Sequence, residues 1–132
     1  MDKKVRVLLI GAAFSGDLHA EGYARCPDLA TVVGICDKVP ERVHDLAARY
    51  NFKDYQFYED YKDAIDNVDC DVVDICLPNF LHHDVALYAF ERGRHVISEK
   101  PIATTVEDAY EMVQAAEKAG KKLYYAEDWL FA

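Results

Sequence analysis

The sequence predicts an α/β fold: a doubly wound, Rossmann-type sheet of about six mostly parallel strands with helices on both faces, in a single domain. Three observations predict it. Short apolar runs rich in β-branched residues recur as VRVLLI, ATVVGIC and DVVDICL, each suited to a strand covered on both faces. Segments with helical spacing alternate with these runs, and regular alternation implies right-handed crossovers between parallel strands. The first run ends in a glycine-flanked turn, Gly11 to Gly16, where a strand hands over to a helix. A chain of 132 residues can build one such core. The spatial order 3-2-1-4-5-6 is the usual arrangement.

Val5–Ile10 is the first strand, interrupted in its apolar character only by Arg6. Ser15–Cys26 reads as a helix, with Gly16 and Ala20 small enough for close packing and Pro27 as its stop. Ala30–Cys36 is the second strand and ends at Asp37. Pro40 suits a first helical turn, and Val43, Leu46, Ala47 and Tyr50 then share one helical face. Tyr55–Tyr58 is a short third strand and Tyr61–Val68 a short helix. Asp71–Leu77 is the fourth strand, closed by Pro78. Leu81–Arg92 reads as a helix with Gly93 as its left-handed cap. His95–Ser98 is the fifth strand. Thr104 to Glu107 has the form of a capping box, and Val106, Ala109, Tyr110 and Val113 follow as an apolar face. Gly120 closes that helix, and Leu123–Ala126 is the sixth strand.

Composition excludes several classes of function. The formal net charge of −9 disfavours a nucleic-acid or anionic-membrane surface, since both recruit Lys and Arg. No run is long and apolar enough to predict a transmembrane helix. The basic N-terminus precedes an apolar run too short for a signal peptide. Cys26, Cys36, Cys70 and Cys76 form no CxxC pair, so buried, reduced thiols in a cytoplasmic protein are expected, not disulfides or zinc.

The chemistry concentrates at the predicted strand ends. Gly11-Ala12-Ala13-Phe14-Ser15-Gly16 approximates the dinucleotide fingerprint G-x-G-x-x-G, with Ala13 at the middle glycine. The helix that follows offers unpaired N–H groups and a positive dipole end to a phosphate. Ala13 adds one methyl group beside that phosphate. A glycine turn with no ligand is the competing reading of the same residues. Asp37 lies roughly twenty residues beyond Gly16, where a carboxylate accepts from the ribose hydroxyls and repels a 2′-phosphate. That favours NAD over NADP, although Lys38 next to it can pair with a phosphate. A plain loop or cap carboxylate is the alternative.

Leu77, Pro78 and Asn79 follow strand four, where open parallel sheets bind ligands, and Asn79 can bond the cofactor. His82 either faces the same crevice or, as a first-turn residue, points to water. His83 is its neighbour and would point elsewhere on a helix, so no His-His metal site is expected. Glu99-Lys100-Pro101 closes strand five. A lysine there can bond a substrate hydroxyl or help move its proton, whereas a lysine in an arbitrary loop is solvated.

Leu77-Pro78-Asn79-Phe80-Leu81-His82, and then Gly93 through Pro101, resemble the Gfo/Idh/MocA family of oxidoreductases, which includes glucose–fructose oxidoreductase and inositol dehydrogenase. The glycine turn before Leu18-His19-Ala20 matches as well, and the resemblance spans essentially the whole chain. It implies a nicotinamide cofactor and substrates that are mostly sugars, cyclitols or related hydroxy compounds. It implies that Lys100 is the active-site lysine, that Glu99 lies close to the nicotinamide, and that Trp129 borders its pocket. The Lys100–Pro101 bond is often cis in similar proteins. Gly11, Ala13, Phe14, Ser15, Gly16 and Asp37 are then the cofactor positions of the first two strands. Leu77, Pro78, Asn79, His82, Glu99 and Lys100 are those of the fourth and fifth.

The family also has a second α/β domain, so residues 1–132 are expected to be the dinucleotide-binding domain without the C-terminal substrate and oligomerisation domain. Such a chain is expected to bind cofactor but not to turn over substrate alone. The competing function is a stand-alone NAD(H)-binding or interaction module, or a subunit completed by a separate chain. A methyltransferase using S-adenosylmethionine would also place an acid after strand two, but Glu-Lys-Pro and the strand count argue against it. Apolar residues from Leu123 to Phe131, including Trp129, predict an exposed patch that favours a homodimer.

Overall fold

The computed structural model describes residues 3–126. Its elements are β1 (Val5–Ile10), α1 (Phe14–Ala24), β2 (Ala30–Cys36), α2 (Pro40–Arg49), β3 (Gln56–Tyr58), α3 (Tyr61–Asn67), β4 (Val72–Ile75), α4 (His82–Glu91), β5 (His95–Glu99), α5 (Val106–Ala119) and β6 (Leu123–Ala126). A short 3₁₀ turn, Asn79–Leu81, leads into α4. The strands form one six-stranded sheet in the order β3-β2-β1-β4-β5-β6. Every pair is parallel. No helix among the described residues is long and apolar enough to cross a membrane.

Two cores sandwich the sheet. On one face, Leu9, Val32 and Ile35 pack against Ala20 of α1 and Val43, Leu46 and Ala47 of α2. On the other, Leu8, Ile10, Val73, Ile75 and Val96 meet α3, α4 and α5 through Ile65, Phe90 and Met112. The single charge in β1 is accommodated at its start. Arg6 pairs with Asp69 at 2.5 Å and with Asp71 at 2.8 Å, so the guanidinium joins the entries to β1 and β4.

Strand β2 departs from simple alternation. Val7 pairs with Val32 but Leu8 pairs with Gly34, so Val33 is an extra residue on the β2 side. Val32 and Ile35, three apart, therefore share the face under α1 and α2. Gly34 lies where a Cβ would come within 2.9 Å of Leu8 and 3.0 Å of Val68. The bulge leaves no mark in the apolar pattern, because both faces of β2 are buried.

Two details of α5 differ from the sequence expectation. Thr105, not Thr104, is the N-cap, and its side chain accepts from the Asp108 N–H at 3.0 Å. The packed face is Met112 and Ala116, with Ala109, Ala115 and Ala119 half-buried. Val106, Tyr110 and Val113 face outward, at 82%, 63% and 42% exposure. Both stripes have helical spacing. The alanine stripe wins because small side chains let α5 approach its neighbours closely. Replacing Met112 with alanine is therefore expected to cost about 2 to 5 kcal/mol in urea denaturation. Tyr110→Ala should cost less than about 0.5 kcal/mol.

Candidate functional site

The crevice opens beyond the carboxyl ends of β1, β2 and β4, where the strand order reverses between β1 and β4. A cleft of about 390 Å³ lies there, with Gly11, Ala13, Asp37, Leu77 and Pro78 in its walls. Its size and its mixture of apolar wall and polar groups are those of a small-molecule site.

The turn after β1 is built by steric necessity. Gly11 has φ +103°, and a Cβ there would lie 2.3 Å from the carbonyl oxygen of Cys76. A Cβ on Gly16 would lie 1.9 Å from the Gly11 carbonyl oxygen. The two glycines let the turn pass the end of β4 and let α1 sit on β1. Ala13 is the N-cap in an extended conformation, and no side chain caps the first turn of α1. Phe14, Ser15 and Gly16 supply that first turn, with Phe14 projecting into solvent. Uncapped N–H groups at a dipole's positive end form a site for an anion.

Asp37 makes the loop bonds that one of its two sequence readings expected, and it also lines the cleft. It is buried, accepts from the Ala12 N–H at 2.8 Å through Oδ2, and accepts from the Val39 N–H at 2.8 Å through Oδ1. It thus ties the β1 turn to the end of β2 while its carboxylate lines the cleft. Each carboxylate oxygen keeps a lone-pair direction for a further donor. Arg42 approaches Asp37 at 3.9 Å and also lines the cleft, a residue the sequence reading did not select. Its signal was its place in the first turns of the helix that follows Asp37.

Leu77 and Pro78 lie in the cleft wall, and Asn79, the next residue, is exposed. His82 is a correction. It faces neither the crevice nor water but is fully buried. Its Nδ1 lies 2.8 Å from the Pro101 carbonyl oxygen and its Nε2 2.7 Å from that of Leu77. The buried ring lies between the loop after β4 and the loop after β5, one nitrogen within hydrogen-bond distance of a carbonyl from each, and it does not line the cleft. His83 turns instead toward α5, where Glu111 lies 3.0 Å from its Nε2. Lys100 is exposed, and the Lys100–Pro101 bond is cis. Trp129 lies outside the described residues.

A second group of polar residues meets at the β5 end of the site. Asp74, fully buried in β4, accepts from Tyr23 at 2.5 Å. His19 of α1 reaches Asp74 with Nδ1 at 2.7 Å and Glu99 with Nε2 at 2.7 Å. Burial of the ring opposes its charge, but the bonds and charges of Asp74 and then Glu99 outweigh that and push its pKa up to about 9. Burial, reinforced by Asp74, raises the pKa of Tyr23 and of Cys76. Burial likewise pushes the Cys36 thiol up to about 12. The sequence reading passed over His19 and Asp74 as site residues. The available signal was an aspartate in the middle of an apolar strand, which needs a partner if it is buried.

Residues 5–127 match a family model described as an oxidoreductase family with an NAD-binding Rossmann fold. Over 120 residues the chain is 36% identical to a levoglucosan dehydrogenase of Pseudarthrobacter phenanthrenivorans, covering 86% of this chain and 30% of that protein. It is 38% identical to a D-glucoside 3-dehydrogenase of Escherichia coli, covering 92% of this chain and 34% of that one. Among solved structures, the WlbA dehydrogenase of Bordetella pertussis in complex with NADH and UDP-GlcNAcA superposes with a TM-score of 0.87 at 32% identity, covering 96% of this chain and 36% of that one. The chain spans about a third of the length of the curated relatives it matches.

The raised His19 pKa carries a pH dependence. A group protonated more tightly in the folded state contributes stability fully present below the unfolded value of 6.5 and lost as pH rises through about 9. The urea midpoint should therefore fall between these pH values, and His19→Gln should flatten that fall.

Proposed function

The chain belongs to the Gfo/Idh/MocA oxidoreductase family, in its NAD-binding Rossmann part; on that premise we propose that residues 1–132 act as the dinucleotide-binding domain of a dehydrogenase for a sugar, cyclitol or related hydroxy compound. The observation that carries this reading is the convergence of the Gly11 turn, the uncapped start of α1 and the Asp37 carboxylate on one cleft. These residues fit a dinucleotide. The glycines leave room where side chains would clash, the helix start suits a pyrophosphate, and Asp37 suits ribose hydroxyls.

In this reading the N–H groups of Phe14, Ser15 and Gly16 hold the pyrophosphate. Asp37 accepts from the adenosine ribose and disfavours a 2′-phosphate, so NAD is the cofactor and NADP the lesser ligand. Lys38 and Arg42 temper that preference, since both cations line the same cleft. Leu77 and Pro78 form apolar wall, Asn79 bonds at the rim, and Glu99 adjoins the nicotinamide. The bound cofactor supplies hydride transfer. Lys100 orients the substrate hydroxyl and assists its proton transfer. The names of the relatives, which include enzymes of levoglucosan and of D-glucosides, support a carbohydrate or polyol substrate.

We read the protein as cytoplasmic on its four free cysteines. A homodimer through β6 is supported by the exposure of Tyr124 and by the place of β6 at the edge of the sheet among the described residues. Sedimentation at increasing concentration should show self-association, and a strict monomer would refute it.

Calorimetric titration tests the cofactor reading. The protein should bind NAD more tightly than NADP. Asp37→Asn keeps the shape but removes a charged acceptor worth about 1.5 to 3 kcal/mol. It should weaken NAD about tenfold or more and narrow the gap to NADP. Absence of NAD binding at millimolar concentration would refute the assignment.

A further inference from the structure

We propose that His19 and Asp74 form a positioning device for Glu99. The His19 imidazole, seated on the buried Asp74 carboxylate, holds the Glu99 carboxylate at the head of the Glu-Lys-Pro turn and sets its effective charge beside the nicotinamide end of the crevice. The proposal rests on the reading above that Glu99 adjoins the nicotinamide.

The geometry is that of a relay across three elements. Asp74 sits on the sheet face that α1 covers, among Val72 and Cys76. A carboxylate there without a partner would be severely destabilising. His19 and Tyr23 are one helical turn apart on α1 and converge on the same oxygen, Oδ2, at 2.7 and 2.5 Å. The other oxygen is approached by the Cys76 thiol at 3.6 Å. This arrangement fixes the plane of the imidazole. Its second nitrogen then meets Glu99 Oε2 at 2.7 Å.

The groups facing His19 are Tyr23 from its own helix, Asp74 from β4, Cys76 just after it, and Glu99 from β5. The ion pairs of Asp74 and Glu99 among the described residues are both with His19. One imidazole therefore serves two carboxylates. Its raised affinity for a proton keeps it cationic at neutral pH. Without that cation two carboxylates would oppose each other, and Glu99 would present a full negative charge.

The oxidised nicotinamide ring is cationic and the reduced ring is neutral, so the charge at Glu99 biases one redox form over the other. His19 tempers that bias. The test compares the affinities of NAD⁺, NADH and ADP-ribose, which lacks the nicotinamide, for the protein and for His19→Gln, Glu99→Gln and the double variant. His19→Gln should shift the NAD⁺:NADH affinity ratio toward NAD⁺ by roughly threefold or more. Glu99→Gln should shift it toward NADH. In the Glu99→Gln background, His19→Gln should change the ratio no further, because it acts through Glu99. ADP-ribose affinity should stay constant throughout.

Should His19→Gln not fold, the unmodified protein gives the same answer. Its ratio should drift toward NAD⁺ as pH rises from 7 through about 9. A ratio unmoved by Glu99→Gln would overturn the placement of Glu99 beside the nicotinamide. A ratio moved by Glu99→Gln but not by His19→Gln, or moved equally by His19→Gln in both backgrounds, would overturn the positioning role alone. Loss of ADP-ribose binding in His19→Gln would assign His19 to the fold and overturn it as well.

Discussion

The crevice depends on how closely the turn after β1 passes the end of β4. The Gly11 backbone runs so near the Cys76 carbonyl that no side chain fits between them, and Gly16 runs equally near Gly11. That double approach places the start of α1 over the switch point of the sheet. It also brings the Ala12 N–H onto Asp37, which closes the same corner from β2. A turn held a few ångströms further out would break the Asp37 bond, lift α1 off β1 and carry His19 away from Asp74. The binding groups and the α1–β4 polar contacts are thus consequences of one steric fit, and it requires glycine at two positions only. Ala13 at the middle position is the N-cap and sits in the cleft wall, so the methyl group it carries meets the cleft and not the core.

Much of this was legible in the chain because buried parallel strands have a strong signature. VRVLLI, ATVVGIC and DVVDICL announce themselves, and strand boundaries moved by only a residue or two. That Gly11, Ala13, Asp37, Leu77 and Pro78 share one cleft was readable because strand ends in such a sheet converge. What stayed hidden followed from degeneracy. In α5 two stripes had equal spacing, and side-chain size decided between them. In β2 the bulge had no effect on an apolar run that is buried on both faces.

The histidines show a different limit. Spacing put His82 at the start of a helix beside the crevice, but it could not say that two loop carbonyls would claim both edges of the ring. His19 entered the sequence reading only within the Leu18-His19-Ala20 match, with no role attached, because it is one of several polar residues on α1. Its role becomes visible only when Asp74, an acid inside a strand, is asked for its partner. Polar residues in this fold are best located from the buried charge outward.

The His82 brace has a consequence for how such a site can change over time. The ring puts a nitrogen on each of two opposite edges of one small plane, and it spans the Leu77 and Pro101 carbonyls with both. An amide side chain cannot reproduce that spacing, and an apolar one offers no donor to either carbonyl. The position is therefore tied to the two loops, whatever ligand or reaction the crevice serves. A substitution there acts first on how the two loops sit beside the crevice, and only through them on whatever the crevice holds.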